Sequence, residues 1–136
     1  MAKTLGIDYG SKRIGLALSD EEGRVAFPFE TIENSAKAVS KIRSICEREK
    51  IGRIVVGESL DESGNDNAIM PEVRVFSDKI SKETGLPVDF EKEFFTSVEA
   101  HRSAFEEQGK EGRQKVDASA AALILQRYLD RQTNNK

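Results

Sequence analysis

Cysteine, histidine and proline are scarce in this chain, with one, one and three residues among 136. The lone cysteine, Cys46, excludes an intramolecular disulfide framework, and its helical spacing with Val39, Ile42 and Ile45 marks it as a buried thiol. One cysteine and one histidine, His101, leave no Cys/His cluster of the kind that holds zinc. No apolar run approaches the roughly 20 residues that span a bilayer, and a strand pattern begins at the N-terminus with no signal-peptide pattern before it. A cytoplasmic protein with no membrane partner is expected. Basic charge is not in excess either: 21 Lys and Arg against 24 Asp and Glu give a net charge of −3 and a pI near 5.3. That balance counts against affinity for nucleic acid through a broad basic surface. Local charge would have to serve, and the candidates are Lys12 with Arg13, and Lys110, Arg113 and Lys115.

What the chain does contain is an ordinary globular composition, 38% hydrophobic and 33% charged. Its length suits one compact domain, 1–136, with 131–136 as a fraying tail. The organising stretch is Thr4 to Asp20, TLGIDYGSKRIGLALSD. Leu5 and Ile7 alternate with Gly6 and Asp8, and Ile14, Leu16 and Leu18 alternate with Gly15 and Ala17. This period of two predicts paired strands joined by Tyr9 to Arg13. An acid on a core-packing strand is costly to bury without a cationic partner. Asp8 either starts an Asx-type turn in which Gly10 supplies a positive φ, or binds a metal ion beside a phosphate, with Lys12 and Arg13 close by.

Further on, Glu22-Gly23 marks a turn, and Val25, Phe27 and Phe29 give a third strand in which Pro28 implies an edge or a bulge. Asn34 or Ser35 is placed to cap a helix carrying Ala36, Val39, Ile42, Ile45 and Cys46. Ile54 to Val56, ended by Gly57, reads as a central strand covered on both faces, and Glu58 to Pro71 as an exposed loop. Val73, Phe76 and Ile80 mark a second helix that Gly85 stops. Val88 and Phe90 begin a last strand, with the acids Asp89, Glu91 and Glu93 on its other face. Thr96 or Ser97 caps a following helix, with Glu99 in capping-box spacing and His101 among polar neighbours. Glu106 to Lys115 reads as a mobile loop, and Asp117 as the residue that opens a strongly apolar final helix. The order predicts an α/β fold: a mixed five-stranded sheet, made of a three-stranded antiparallel meander plus parallel strands, flanked by helices.

Sites in such sheets gather outside the carboxyl ends of the strands. Asp8 ends the first strand, Glu93 follows the last, and Asp117 leads a helix that must pack on the same sheet. Three converging carboxylates repel one another and are relieved by divalent cations, and an all-oxygen donor set suits magnesium or manganese.

In order and spacing, GIDYGSKRIGLALSD, IVVG, EFFTSVEA and VDASAAALILQRYL resemble the YqgF (RuvX-like) family of pre-16S rRNA nucleases, earlier described as Holliday junction resolvases. The resemblance covers nearly the whole chain and implies an RNase H-like fold similar to that of the RuvC resolvases. It implies metal-assisted phosphodiester hydrolysis with Mg²⁺ or Mn²⁺ as cofactor and nucleic acid as partner. Asp8 falls on the family's first-strand aspartate, Glu93 on the glutamate of its DER-like motif, and Asp117 on the acid of its last helix. Thr96 and Ser97 fall on its Thr-Thr pair. Lys92 and Phe94 stand where the family usually has Asp and Arg, and Glu58-Ser59 where Leu-Pro is usual. Glu91 rivals Glu93, because strand alternation puts both on one face. Backbone amides from Tyr9 to Ser11, with Lys12 and Arg13, are candidates for holding the scissile phosphate, and Thr96, Lys110, Arg113 and Lys115 for further nucleic-acid contact.

The leading expectation is thus a nuclease, a monomer or weak homodimer, that processes the 5′ end of precursor 16S rRNA in ribosome biogenesis. Branched DNA is the alternative substrate, and a non-catalytic RNA- or protein-binding module on the same fold is the alternative class. GIDYG is also similar to the GIDxGT phosphate loop of actin-like and sugar-kinase-like phosphotransferases, but those need two such domains.

Overall fold

The computed structural model describes residues 2–61, 63–94 and 109–134. In chain order these form β1 (Lys3–Tyr9), β2 (Arg13–Ser19), β3 (Ala26–Glu33), α1 (Ala38–Arg48), β4 (Ile51–Leu60), α2 (Met70–Thr84), β5 (Val88–Phe94) and α3 (Gly109–Asn134). The strands make one sheet in the order β3-β2-β1-β4-β5. β1, β2 and β3 pair antiparallel, whereas β1 with β4 and β4 with β5 pair parallel. This is the mixed five-stranded α/β sheet expected from the sequence. Pro28 sits on the edge strand, where the β2–β3 register slips between Leu16 and Ala17, so its missing N–H removes no bond from the sheet interior.

Alternation along the strands feeds two cores. Leu5, Ile7, Ile14, Leu16, Ile54 and Val56 face α1 and α2 and pack with Ile42, Ile45, Val73, Phe76 and Ile80. The intervening positions face α3, where Ala17 and Val55 meet Ala121, Ile124, Leu125, Tyr128 and Leu129. Small residues dominate this second face because α3 lies almost on the sheet backbone. A Cβ added to Gly6 would lie 2.8 Å from Leu125 Cβ, and one added to Gly15 would lie 2.0 Å from the Asp117 carbonyl oxygen. Gly6, Gly15 and Ala17 therefore form the seat of a helix.

Several boundaries differ from the sequence expectation. α1 starts at Ala38, and no side chain caps it; the Ser35 hydroxyl instead accepts from Lys37 N at 3.3 Å in the preceding turn. β4 continues through Glu58 and Ser59 to Leu60, shortening the expected loop. α3 begins at Gly109, so 109–115 is helical where a mobile loop was expected, and Asp117 lies more than two turns inside the helix. Gly109 and Gly112 each cost about 1 kcal/mol relative to alanine, but they extend a helix already nucleated by its packed alanine-rich part. At the other end Arg131 is not frayed: the helix includes it, and it pairs with Glu91. Among the described residues no helix is long and apolar enough to cross a membrane.

Candidate active site

Asp8 is directly opposite Gly15 in the β1–β2 ladder. Because Gly6 faces α3, Asp8, two residues on, faces it too. The backbone of Asp117 lies against Gly15, so a residue 109 positions along the chain is held beside the cross-strand partner of Asp8. Only glycine allows this approach, since any side chain at position 15 would strike the helix backbone. The buried Asp117 carboxylate accepts from Arg13 Nε at 2.7 Å. Arg13 thus supplies the cationic partner that a buried acid here requires, anchoring the turn to α3.

The β1–β2 turn itself departs from expectation. Gly10 does not have a positive φ. Its role is space: a Cβ there would lie 2.6 Å from the Arg13 carbonyl, to which Gly10 N donates at 2.9 Å. That amide closes the turn, which removes it from the set of amides expected to hold a phosphate.

On β5, Asp89, Glu91 and Glu93 also face α3. Glu91 and Glu93 are buried, whereas Phe90 on the other face is exposed. Glu93 Oε2 lies 3.2 Å from Arg127 Nη1, and Glu91 Oε1 lies 2.6 Å from Arg131 Nη2. The latter contact is an ion pair without the alignment of a hydrogen bond, and no aligned donor reaches that buried oxygen. Burial pushes the Glu91 carboxyl above its ordinary range, against the pull of Arg131 and Arg127. Asp89 accepts from Tyr128 Oη and Arg53 and is held below its usual range, chiefly by the tyrosine.

Register separates the two rival glutamates. Ile7 pairs with Val56, so one residue on Asp8 comes abreast of Gly57, and Gly57 pairs with Glu91. Asp8 and Glu91 therefore share a row across the sheet, two strand spacings or roughly 10 Å apart. Glu93 lies two residues further along β5. All these donors are carboxylate oxygens, the chemistry of a hard divalent cation. Yet among the described residues no three Asp, Glu, His or Cys side chains stand close enough to share an ion. Arg13 and Arg127 each hold one of the three expected acids.

Lys12 is exposed in the turn. Lys110, Arg113 and Lys115 lie on the first two turns of α3. Thr96, Ser97, Glu99 and His101 lie outside the described residues. Sequence reasoning passed over Arg127 and Arg131, although their spacing of four puts both on one helix face. It also passed over the glycine seat, whose signal was small residues where a solvent-facing strand would carry polar ones.

The family model described as "RuvX: Holliday junction resolvase" matches residues 2–131. A protein of Koribacter versatilis is 39% identical over 133 residues, covering 95% of this chain and 87% of the relative. One from Endomicrobium trichonymphae is 37% identical over 139 residues, covering 98% and 99%. Another, from Maridesulfovibrio salexigens, is 34% identical over 134 residues, covering 95% and 98%. All three carry the name "Putative pre-16S rRNA nuclease". Among solved structures, T. thermophilus RuvC in complex with a Holliday junction substrate superposes with a TM-score of 0.58 at 16% identity, covering 98% of this chain and 96% of that one. That likeness establishes a shared fold.

Proposed function

The chain belongs to the RuvX family, and from that premise we propose that it is a nuclease that hydrolyses phosphodiester bonds at the 5′ end of precursor 16S rRNA. The observation that carries the reading is the contact of Asp117 with Gly15, the partner of Asp8, at the carboxyl end of the central strand. This seating holds Asp117 on the helix over the strand pair that carries Asp8, which supports the two acids acting in one site. The relatives' names favour the rRNA substrate, and the protein works in the cytoplasm.

Asp8, Asp117 and Glu93 are the proposed catalytic and metal-holding residues, with Glu91 as the alternative to Glu93. Their donor atoms fit Mg²⁺ or Mn²⁺ by type, and closing around an ion requires Arg13 and Arg127 to release their acids. When bound, such an ion supplies activation of water and stabilisation of the leaving oxygen. The chain's own contributions are fixed by packing. Gly15 sets the height of Asp117 above the sheet, Arg13 orients its carboxylate, and Lys12 at the turn faces incoming phosphate.

The test is cleavage of a labelled precursor 16S rRNA 5′ segment and of a four-way DNA junction by the purified protein, with Mn²⁺ and with EDTA. Asp8→Asn runs beside the wild type. RNA cleavage lost in the mutant supports the proposal; an equally active mutant rejects Asp8 as a ligand. Junction cleavage alone would favour the second reading, a resolvase, which the family's description supports. No cleavage and no metal binding would favour a non-catalytic module, a reading motivated by Lys92 and Phe94 and by the Arg127–Glu93 pair.

A further inference from the structure

Opposite α3, at the same carboxyl edge of the sheet, a cavity of about 420 Å³ opens between the starts of α1 and α2. Its volume falls within the roughly 300–1,000 Å³ typical of small-ligand sites. Tyr9 forms one wall, with its ring 4.8 Å from that of Phe76, and Val75 lines the cavity although it is 56% exposed. Asn34 and Glu72 supply polar groups to the lining. Asn34 is fixed by donating from Nδ2 to the Gly10 carbonyl at 2.8 Å, so it is tied to the turn that follows Asp8.

Asn34 also lines a second groove, of about 430 Å³, with Lys12, Arg13 and Thr31. Glu33 also lines this groove and Arg13 is paired with Asp117, so Lys12 is its exposed cation, and the polar groove meets the aromatic cavity at one shared residue. Cations that track a phosphate backbone beside an aromatic face that stacks a base are the build of single-strand sites. Asp8 and Tyr9 are consecutive on β1 and point to opposite faces. A strand crossing the sheet edge would thus present a phosphate to one side and a base to the other.

We propose that the Tyr9–Val75 cavity receives one unpaired base of a single-stranded nucleic acid whose backbone lies in the Lys12–Thr31 groove. This deepens the nuclease reading and rests on it for the direction of the strand. It places cleavage beside an unpaired nucleotide rather than inside continuous duplex.

The experiment is an abasic scan. Binding of a fluorescein-labelled single-stranded RNA is measured by anisotropy in EDTA, with one nucleotide at a time replaced by an abasic unit. Wild-type protein should show one position where base removal weakens binding by roughly 5- to 100-fold. Val75→Asn, a neutral change on an exposed helical position, should weaken binding of the intact RNA similarly, and its penalty should vanish on the RNA abasic at that position. Tyr9→Leu, which keeps an apolar contact to Phe76, should give the same pattern. A flat scan, absence of single-strand binding, or a Val75→Asn penalty undiminished on the abasic RNA would overturn the proposal. A flat scan in a protein that cleaves removes the base site and leaves the nuclease. A clear position in a protein that cuts nothing does the reverse.

Discussion

Gly15→Ala is the most informative single substitution in this molecule. The added Cβ would lie 2.0 Å from the Asp117 carbonyl oxygen, 2.4 Å from its carbonyl carbon and 3.1 Å from Ala118 N. All three are backbone atoms, so no rotamer change relieves the overlap. Reaching an ordinary 3.4 Å contact with that oxygen requires α3 to lift by about 1.4 Å, and the helix is pinned nearby by Leu125 over Gly6 and Ile124 over Gly57. Overpacking of this kind costs about 1–3 kcal/mol, and contact with backbone places it at the upper end. For a chain of this size that lowers Tm by roughly 4–10 °C. With Asp117 in its proposed catalytic role, cleavage should fall about 100-fold at temperatures where the variant stays folded, the usual effect of a misplacement near 1 Å. The internal control is Gly57→Ala, whose Cβ would lie 2.6 Å from Ile124 Cδ1. That atom ends a flexible side chain, so a loss below about 1 kcal/mol is expected. Urea unfolding followed by circular dichroism, with single-turnover cleavage, measures both effects. A Gly15→Ala protein within about 0.5 kcal/mol of wild type, or one more stable than Gly57→Ala, would refute the close packing of α3 on β2.

Other perturbations probe separate parts of the structure. Arg127→Gln leaves the buried Glu93 without this partner and should destabilise by about 1–2 kcal/mol, the arginine being half exposed. If Glu93 is a metal ligand, the same variant should bind Mn²⁺ more tightly by calorimetry, and unchanged affinity would count against Glu93. Tyr128→Phe removes the hydroxyl that holds Asp89 below its ordinary range. It should cost about 1 kcal/mol at pH 7, a low figure because Asp89 is more than a third exposed. A depressed carboxyl stabilises the fold above its unfolded pKa of 3.8 and loses that contribution as pH falls through its lower folded value. The difference between mutant and wild type should therefore shrink below pH 3.8, and a pH-independent difference would refute the charged hydrogen bond. Burial pushes the Cys46 thiol up to about 11, so at pH 8 only about one thiol in a thousand is ionised. Iodoacetamide should label Cys46 only when urea unfolds the protein, and rapid labelling of the native chain would show that the face of α1 carrying Cys46 is not packed into the core.

Much was determined by the sequence alone. The period-two runs around Leu5, Ile14 and Phe27 specified a meander, and the helical spacing of Ile42 and Ile45, and of Val73, Phe76 and Ile80, specified the crossovers that make β4 and β5 parallel. Gly23 and Gly85 both take the positive φ that their turn and helix stop demand. The four ordered motifs identified the family, and Asp117 was read as lying on a helix that packs on the sheet carrying Asp8, as its contact with Gly15 shows. These features are legible because periodicity, capping and motif order are properties of neighbouring residues.

What only the tertiary structure decided concerns partners far apart in the chain. The alternate positions Gly6, Gly15 and Ala17 could have faced water, and it is the arrival of α3 that makes them a helix seat. Asp117 needed no N-cap role once the helix extended back to Gly109, because packing on Gly15 fixes its place instead. Glu91 and Glu93 are indistinguishable by alternation, and the β4–β5 register sets Glu91 level with Asp8. In isolation Arg13 reads as a phosphate contact, Arg131 as the start of a tail and Arg127 as nothing in particular, yet each meets a buried acid on another element. A carboxylate's neighbours depend on register and helix height, which arise only when the layers close, and no local pattern encodes them.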